Sequence, residues 1–198
     1  MRDNKLLISL LRKIFVSAGI VLLVIALIVP FLWQWNIRTA ETRARDYVHT
    51  LRTLLPEPQG SVPEERRDNT MPVVSLDGVD FIGILEMPRY GSSLPVCGDW
   101  GQTFRYPCSF SGSIYNGSLQ VGMTSQKGQY DFYREISVGD TIYFTDMEGS
   151  RFVFTVTDLC YEKHADPAAL TSKESALTLF IKNIYAFEYI LVFCNVLS

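Results

Sequence analysis

The sequence predicts a mainly β domain, a barrel or a sandwich, behind one N-terminal membrane-spanning helix. Three observations predict it. Residues 14–35, IFVSAGIVLLVIALIVPFLWQW, form an uncharged run long enough to cross a hydrocarbon core, which takes about 20 residues. Residues 56–72, PEPQGSVPEERRDNTMP, are rich in proline and mixed charge and can bury little apolar surface. From Val73 onward short runs of β-branched and aromatic residues alternate with turn signals at regular spacing. A chain of 198 residues accommodates one ordinary domain plus an anchor. The expected organisation is a cytoplasmic tail (1–13), an anchor (14–35), a helical stalk and linker (36–72) and the β domain (73–198).

Phe31, Trp33 and Trp35 lie where an interfacial aromatic belt belongs, and Pro30 is tolerated near the end of such a helix. The apolar run exceeds the roughly 7–15 residues of a signal-peptide core, and no small-residue cleavage site follows. Arg2, Lys5, Arg12 and Lys13 precede the span, while Arg38, Arg43, Arg45 and Arg52 follow it. Flanking charge therefore leaves the orientation nearly tied.

Residues 36–55 predict a helix with a partial apolar stripe from Ile37, Tyr47, Val48, Leu51, Leu54 and Leu55, either a stalk or a helix lying on the domain. His49 falls on its solvated side. In the β region, Phe81–Met87 reads as a strand closed by Pro88, and Leu94-Pro95-Val96 as a second extended piece. Ser113–Tyr115 and Leu119–Met123 are predicted to pair across Asn116-Gly117, since both turn residues favour positive φ. Thr141–Met147 and Arg151–Leu159 form a hairpin through Glu148-Gly149-Ser150. Short helical turns are expected at 131–136 and 166–170. The chain closes on ALTLFIKNIYAFEYILVFC (176–194), two buried strands joined by a short turn.

These pieces, in this order, resemble the sortases, membrane-anchored cysteine transpeptidases of Gram-positive bacteria. Ile82-Gly83-Ile84-Leu85-Glu86-Met87-Pro88 with Leu94-Pro95-Val96 is similar to the family's opening pattern. Val138-Gly139-Asp140-Thr141-Ile142-Tyr143-Phe144-Thr145-Asp146 is similar to its VGD segment. Thr178-Leu179-Phe180-Ile181-Lys182 matches the strand that ends in TLxTC, and Tyr189 stands where the next strand opens with arginine. The resemblance implies a closed β-barrel of about eight strands, with its site on one face between the last strands. It also implies that the domain lies outside the cell membrane on a single-pass anchor.

A sortase uses a cysteine nucleophile on an LPxTG-like sorting signal, a histidine for proton transfer and an arginine for the oxyanion. The resemblance places Lys182 at the cysteine, Met123 at the histidine and Tyr189, or Glu188 in an alternative match, at the arginine. A thioether carries no titratable proton. An acyl-lysine amide would be a dead end rather than a turnover intermediate. No catalytic residue is expected, and the implied protein is a pseudoenzyme that binds or scaffolds an extended peptide or a surface protein. Its old groove can take a peptide by main-chain pairing to a barrel edge, with Gln126, Tyr130 and Tyr133 as candidate lining. The alternative is a divergent active sortase using a non-standard nucleophile such as Cys160, with His164 four residues on.

Four cysteines are present. Cys97 and Cys108 flank CGDWGQTFRYPC and form either a disulfide in an oxidising exterior or two separate thiols. Cys194 reads as a small buried hydrophobe. Two distant histidines and no metal-ligand spacing give no expectation of a metal, and no cofactor motif occurs. A net charge of -3 leaves no Lys and Arg surplus for a phosphate surface, so nucleic acid is excluded as a partner.

Overall fold

The structure, a computed structural model, describes residues 2–56, 69–103, 105–125, 131–164, 173–183 and 188–197. The linker from 57 to 68, the turn expected at 166–170, Gln126 and Tyr130 lie outside the described residues. The chain divides into two compact units, Met1–Ala40 and Glu41–Ser198.

The first unit is helical throughout its described part, within α1 (Arg2–Leu54), and holds Pro30. Its segment Phe15–Leu32, 18 residues, is long and apolar enough to cross a membrane, and none of it is buried.

The second unit is mainly β. Its strands are β1 (Val74–Leu76), β2 (Val79–Met87), β3 (Ser92–Cys97), β4 (Cys108–Ser111), β5 (Leu119–Thr124), β6 (Thr141–Asp146), β7 (Arg151–Glu162), β8 (Leu177–Asn183) and β9 (Glu188–Val196). They pair in the order β1-β2-β3-β4-β5-β8-β9-β7-β6, and β6 returns to β2. Strands β2 to β9 therefore close an eight-strand barrel, with β1 a short addition to β2. Closure is broad at most seams: β7 and β9 share eight residue pairs. Between β3 and β4 it rests on one, Cys97 with Cys108.

Strand period explains the core. Leu119, Val121 and Met123 of β5, Leu177, Leu179 and Ile181 of β8, and Ile190, Val192 and Cys194 of β9 all enter one interior cluster with Leu85, Phe144 and Phe154. Alternate residues of the same strands consequently face outward. A second cluster covers the outside of β2, β3 and β4. There Ala44, Val48 and Leu51 of α1 close over Phe81, Ile84, Cys97, Tyr106 and Cys108. The spacing of 44, 48 and 51 makes one helix face, so of the two expected roles the segment 41–54 lies on the barrel. Each such buried Val or Leu contributes about 1.5–3 kcal/mol.

One predicted hairpin is built differently. The strand before Asn116-Gly117 is β4, not Ser113–Tyr115, which instead belongs to a turn in which Ser118 N–H donates to Ser113 O at 3.1 Å. Gly117 is left-handed at φ 63, but Asn116 is not, so the connection is longer than a two-residue loop. Asp77-Gly78, with φ 51 and 76, forms a two-residue hairpin turn joining β1 to β2.

Two buried carboxylates hold other corners. Asp146, fully buried, accepts from Tyr115 Oη at 2.6 Å and from the N–H groups of Glu148 (2.9 Å) and Ser150 (2.8 Å), shaping the β6–β7 tip. Asp140 of the VGD segment accepts from Arg89 (2.6 Å), Tyr90 Oη (2.5 Å) and Ser137 N–H (2.8 Å). Burial alone would raise the Asp140 carboxyl. The hydrogen bonds from Tyr90, Arg89 and Ser137 outweigh it and hold the group below the usual carboxylate range.

Candidate functional site

The outer face of the barrel across β5, β8, β9 and β7 is organised in rows by strand register. One row runs Gly122, Phe180, Leu191, Cys160. The next runs Thr124, Lys182, Tyr189, Glu162, and a third runs Gln120, Thr178, Phe193, Asp158. The pairs β5–β8 are parallel and the others antiparallel.

Lys182 and Tyr189 are thus direct cross-strand partners on the outer face. Lys182 is exposed and Tyr189 half-buried. Met123 does not join them. It pairs with Ile181, is 1% exposed and packs inside the barrel. The physical reason is the period of two: moving one residue along β5 changes faces. The residue that β5 places beside Lys182 on the outer face is Thr124, and Ser125 N–H continues the ladder by donating to Lys182 O at 2.8 Å. A face-by-face reading of Val121-Gly122-Met123-Thr124 against Leu179–Lys182 holds the signal for this. Glu188 pairs with Asn183 on the alternate register and accepts a hydrogen bond from its amide at 3.3 Å. Tyr133 is 3% exposed within the interior cluster, so it is a core residue and does not line a groove.

Beside the Lys182 row lies an aromatic patch that sequence reading missed. Trp100, Phe110 and Phe180 pack against one another in tilted and edge-to-face pairs with ring centroids 5.0–5.5 Å apart. Trp100 and Phe110 remain 41% and 45% exposed. The three rings come from three separate places: a 3-10 turn at Trp100–Gln102, β4 and β8. Gly122 makes the patch fit. A Cβ at 122 would lie 2.4 Å from the Phe180 ring and 2.5 Å from the Trp100 ring. On the other side of Phe180, Leu191 and Phe193 form a small outer cluster with Cys160. The Lys173 ammonium sits 5.5 Å above the Phe193 ring and pairs with Asp158.

Cys160 lies on this face, opposite Leu191. Its thiol donates to Glu162 Oε1 at 3.4 Å. Partial burial, then that carboxylate, push the thiol up and work against a thiolate. His164 is exposed after the end of β7, and His49 is exposed on α1. Cys194 is fully buried in the interior cluster and its thiol is raised by burial. Cys97 and Cys108 are both fully buried and are thiols in the structure. Among the described residues no three His, Cys, Asp or Glu side chains are grouped to hold a metal.

A polar cleft of about 420 Å³ lies elsewhere, where α1 meets β1 and β2, lined in part by Arg43, Asp46, Asp77 and Arg105. There Tyr47 Oη donates to Asp77 at 3.1 Å, and burial followed by that bond pushes the phenol up to about 12. The cleft carries both signs of charge, and Tyr47 and Tyr106 also line it.

No protein-family model matches the chain, and no curated protein matches it either. Solved structures do. The chain is similar to a sortase D5 transpeptidase of Clostridium perfringens, at 12% identity over 60% of this chain and 80% of that chain, with a TM-score of 0.51. It is similar to sortase A of Corynebacterium diphtheriae at 15% identity over 82% of this chain and 84% of that one, TM-score 0.51. It is also similar to sortase C1 of Streptococcus agalactiae at 16% identity, over 63% and 71%, TM-score 0.51. The barrel therefore has the sortase fold.

Proposed function

We propose that this sortase-fold protein is a membrane-anchored, extracytoplasmic pseudoenzyme that binds an extended peptide of a surface protein on the outer face of β5, β8 and β9. One observation carries the reading. The row at the position where the resemblance puts the reaction centre consists of Thr124, Lys182, Tyr189 and Glu162, a hydroxyl, an ammonium, a phenol and a carboxylate. That set can hold a peptide by hydrogen bonds and charge, but it supplies no low-pKa nucleophile beside an imidazole. Exposed Trp100 and Phe110 next to it are the side chains expected to anchor an apolar peptide residue, because large aromatics contribute most per contact. The apolar helix segment Phe15–Leu32 supports the anchor.

The test uses the full-length protein in detergent and fluorescent peptides carrying LPxTG-like sequences. Expected are saturable binding, a loss of affinity in Trp100→Ala and in Lys182→Ala, and no cleavage product by mass spectrometry. Hydrolysis or transfer that disappears in Cys160→Ala would establish a divergent sortase instead. Protease digestion of the C-terminal domain on intact cells checks its location; protection of that domain would contradict the exterior placement.

A further inference from the structure

The barrel seam between β3 and β4 consists of a single residue pair, and both members are cysteines. Cys97 and Cys108 are Cα partners on parallel neighbouring strands. Adjacent strands lie about 4.8 Å apart, inside the roughly 4.4–6.8 Å that a disulfide spans between Cα atoms. Both side chains point to the same outer cluster under α1. The Cys97 thiol donates to Asp99 O at 3.6 Å and the Cys108 thiol to Tyr106 O at 3.3 Å, and the influence of each thiol on the other lowers Cys97 while raising Cys108. The described residues between them, 98–103 and 105–107, are tied down by hydrogen bonds. Cys97 N–H donates to Pro107 O at 2.8 Å, Gly101 N–H donates to the Asp99 carboxylate at 2.9 Å, and Trp100 leaves the loop toward Gly122.

We propose that Cys97 and Cys108 form a disulfide that closes this seam covalently and fixes the loop presenting Trp100. The proposal goes beyond peptide binding and is independent of it, resting only on a domain that folds outside the cytoplasm. The oxidant is an exterior thiol–disulfide oxidant in its disulfide form. One cysteine, as thiolate, attacks that disulfide, giving a mixed disulfide and releasing one oxidant thiol. The second cysteine, as thiolate, then attacks the protein sulfur of the mixed disulfide and releases the other oxidant thiol. Two electrons pass to the oxidant, and the two protons lost by the cysteines end on its thiols. Both sulfurs are fully covered in the folded domain, so oxidation precedes closure of Ala44, Val48 and Leu51 over them.

The experiment takes the full-length protein from cells directly into denaturant with excess alkylating reagent, followed by peptide mapping. The expected result is a Cys97–Cys108 linked peptide, with two of the four cysteines alkylated. Four alkylated cysteines, or a bridge involving Cys160 or Cys194, would overturn the proposal. Purified wild type refolded in a glutathione redox buffer should regain the same bridge, and added reductant should then lower its unfolding midpoint. The Cys97→Ala/Cys108→Ala variant should show no response to reductant. An equal response in the two proteins would also overturn the proposal.

Discussion

Gly122→Ala tests whether the aromatic patch sits where the geometry puts it. The added methyl would lie 2.4 Å from Phe180 Cζ and 2.5 Å from Trp100 Cη2 and Cζ3. Carbon atoms settle at about 3.5–4.0 Å, so both rings must retreat by about 1 Å or more. Phe180 and Trp100 are contacted through their ring tips, and Trp100 is 41% exposed, so the patch can swing outward without moving the barrel. Doing so weakens the Trp100–Phe180 and Trp100–Phe110 contacts, at 5.5 and 5.0 Å between centroids. Each such pair contributes about 0.5–1.5 kcal/mol, giving a loss of about 1–3 kcal/mol, which agrees with the cost of overpacking by one methyl. For a domain of this size that lowers Tm by about 2–4 °C per kcal/mol. The assay is thermal unfolding of full-length protein in detergent, with Trp100 emission followed against a Trp100→Phe control. Gly122→Ala,Trp100→Ala should lose less than the sum of the single variants, since removing the indole relieves part of the clash. A Gly122→Ala protein with wild-type Tm and unshifted Trp100 emission would refute the placement of the rings over Gly122.

Three further outcomes follow from the packing. Leu51→Ala empties a fully buried site under α1 and should cost about 2–5 kcal/mol in chemical denaturation; an effect below about 0.5 kcal/mol would mean that the helix does not lie on the barrel. Asp146→Ala removes the acceptor of the Tyr115 hydroxyl and of two backbone N–H groups, with an expected loss of about 3 kcal/mol, checked by urea unfolding at neutral pH. Asp140 has a folded pKa below its unfolded one, so the unfolded chain takes up the proton first on acidification. Its contribution is full above about pH 5 and fades as pH falls through the folded value, below about 4. Tm measured from pH 7 to pH 3 should therefore fall less steeply in Asp140→Asn than in wild type; equal slopes would count against it. Arg89 is mostly exposed, so solvent screening limits its share.

Much of the fold was legible along the chain. The uncharged run 14–35 announces a helix of spanning length, and Leu177, Leu179 and Ile181 against Thr178 and Phe180 announce a strand with one buried face. Resemblance then supplied the closed barrel and the expected place of the candidate site. The β4 strand was not legible, because Cys108–Ser111 is only four residues long and Gly112 ends it. Asp77-Gly78 carried a readable turn signal, since Asp and Gly both tolerate positive φ.

Alternation within one strand is a local property, set by the pleat, and the sequence by itself determined it. Facing across strands is not local. That Met123 faces the barrel interior while Thr124 stands beside Lys182 depends on how β5 is staggered against β8. That Trp100, Phe110 and Phe180 meet over Gly122 depends on bringing a loop and two strands together from positions up to 80 residues apart. Tertiary structure alone decided these meetings, because register and closure are fixed by the whole set of interior side chains filling one barrel.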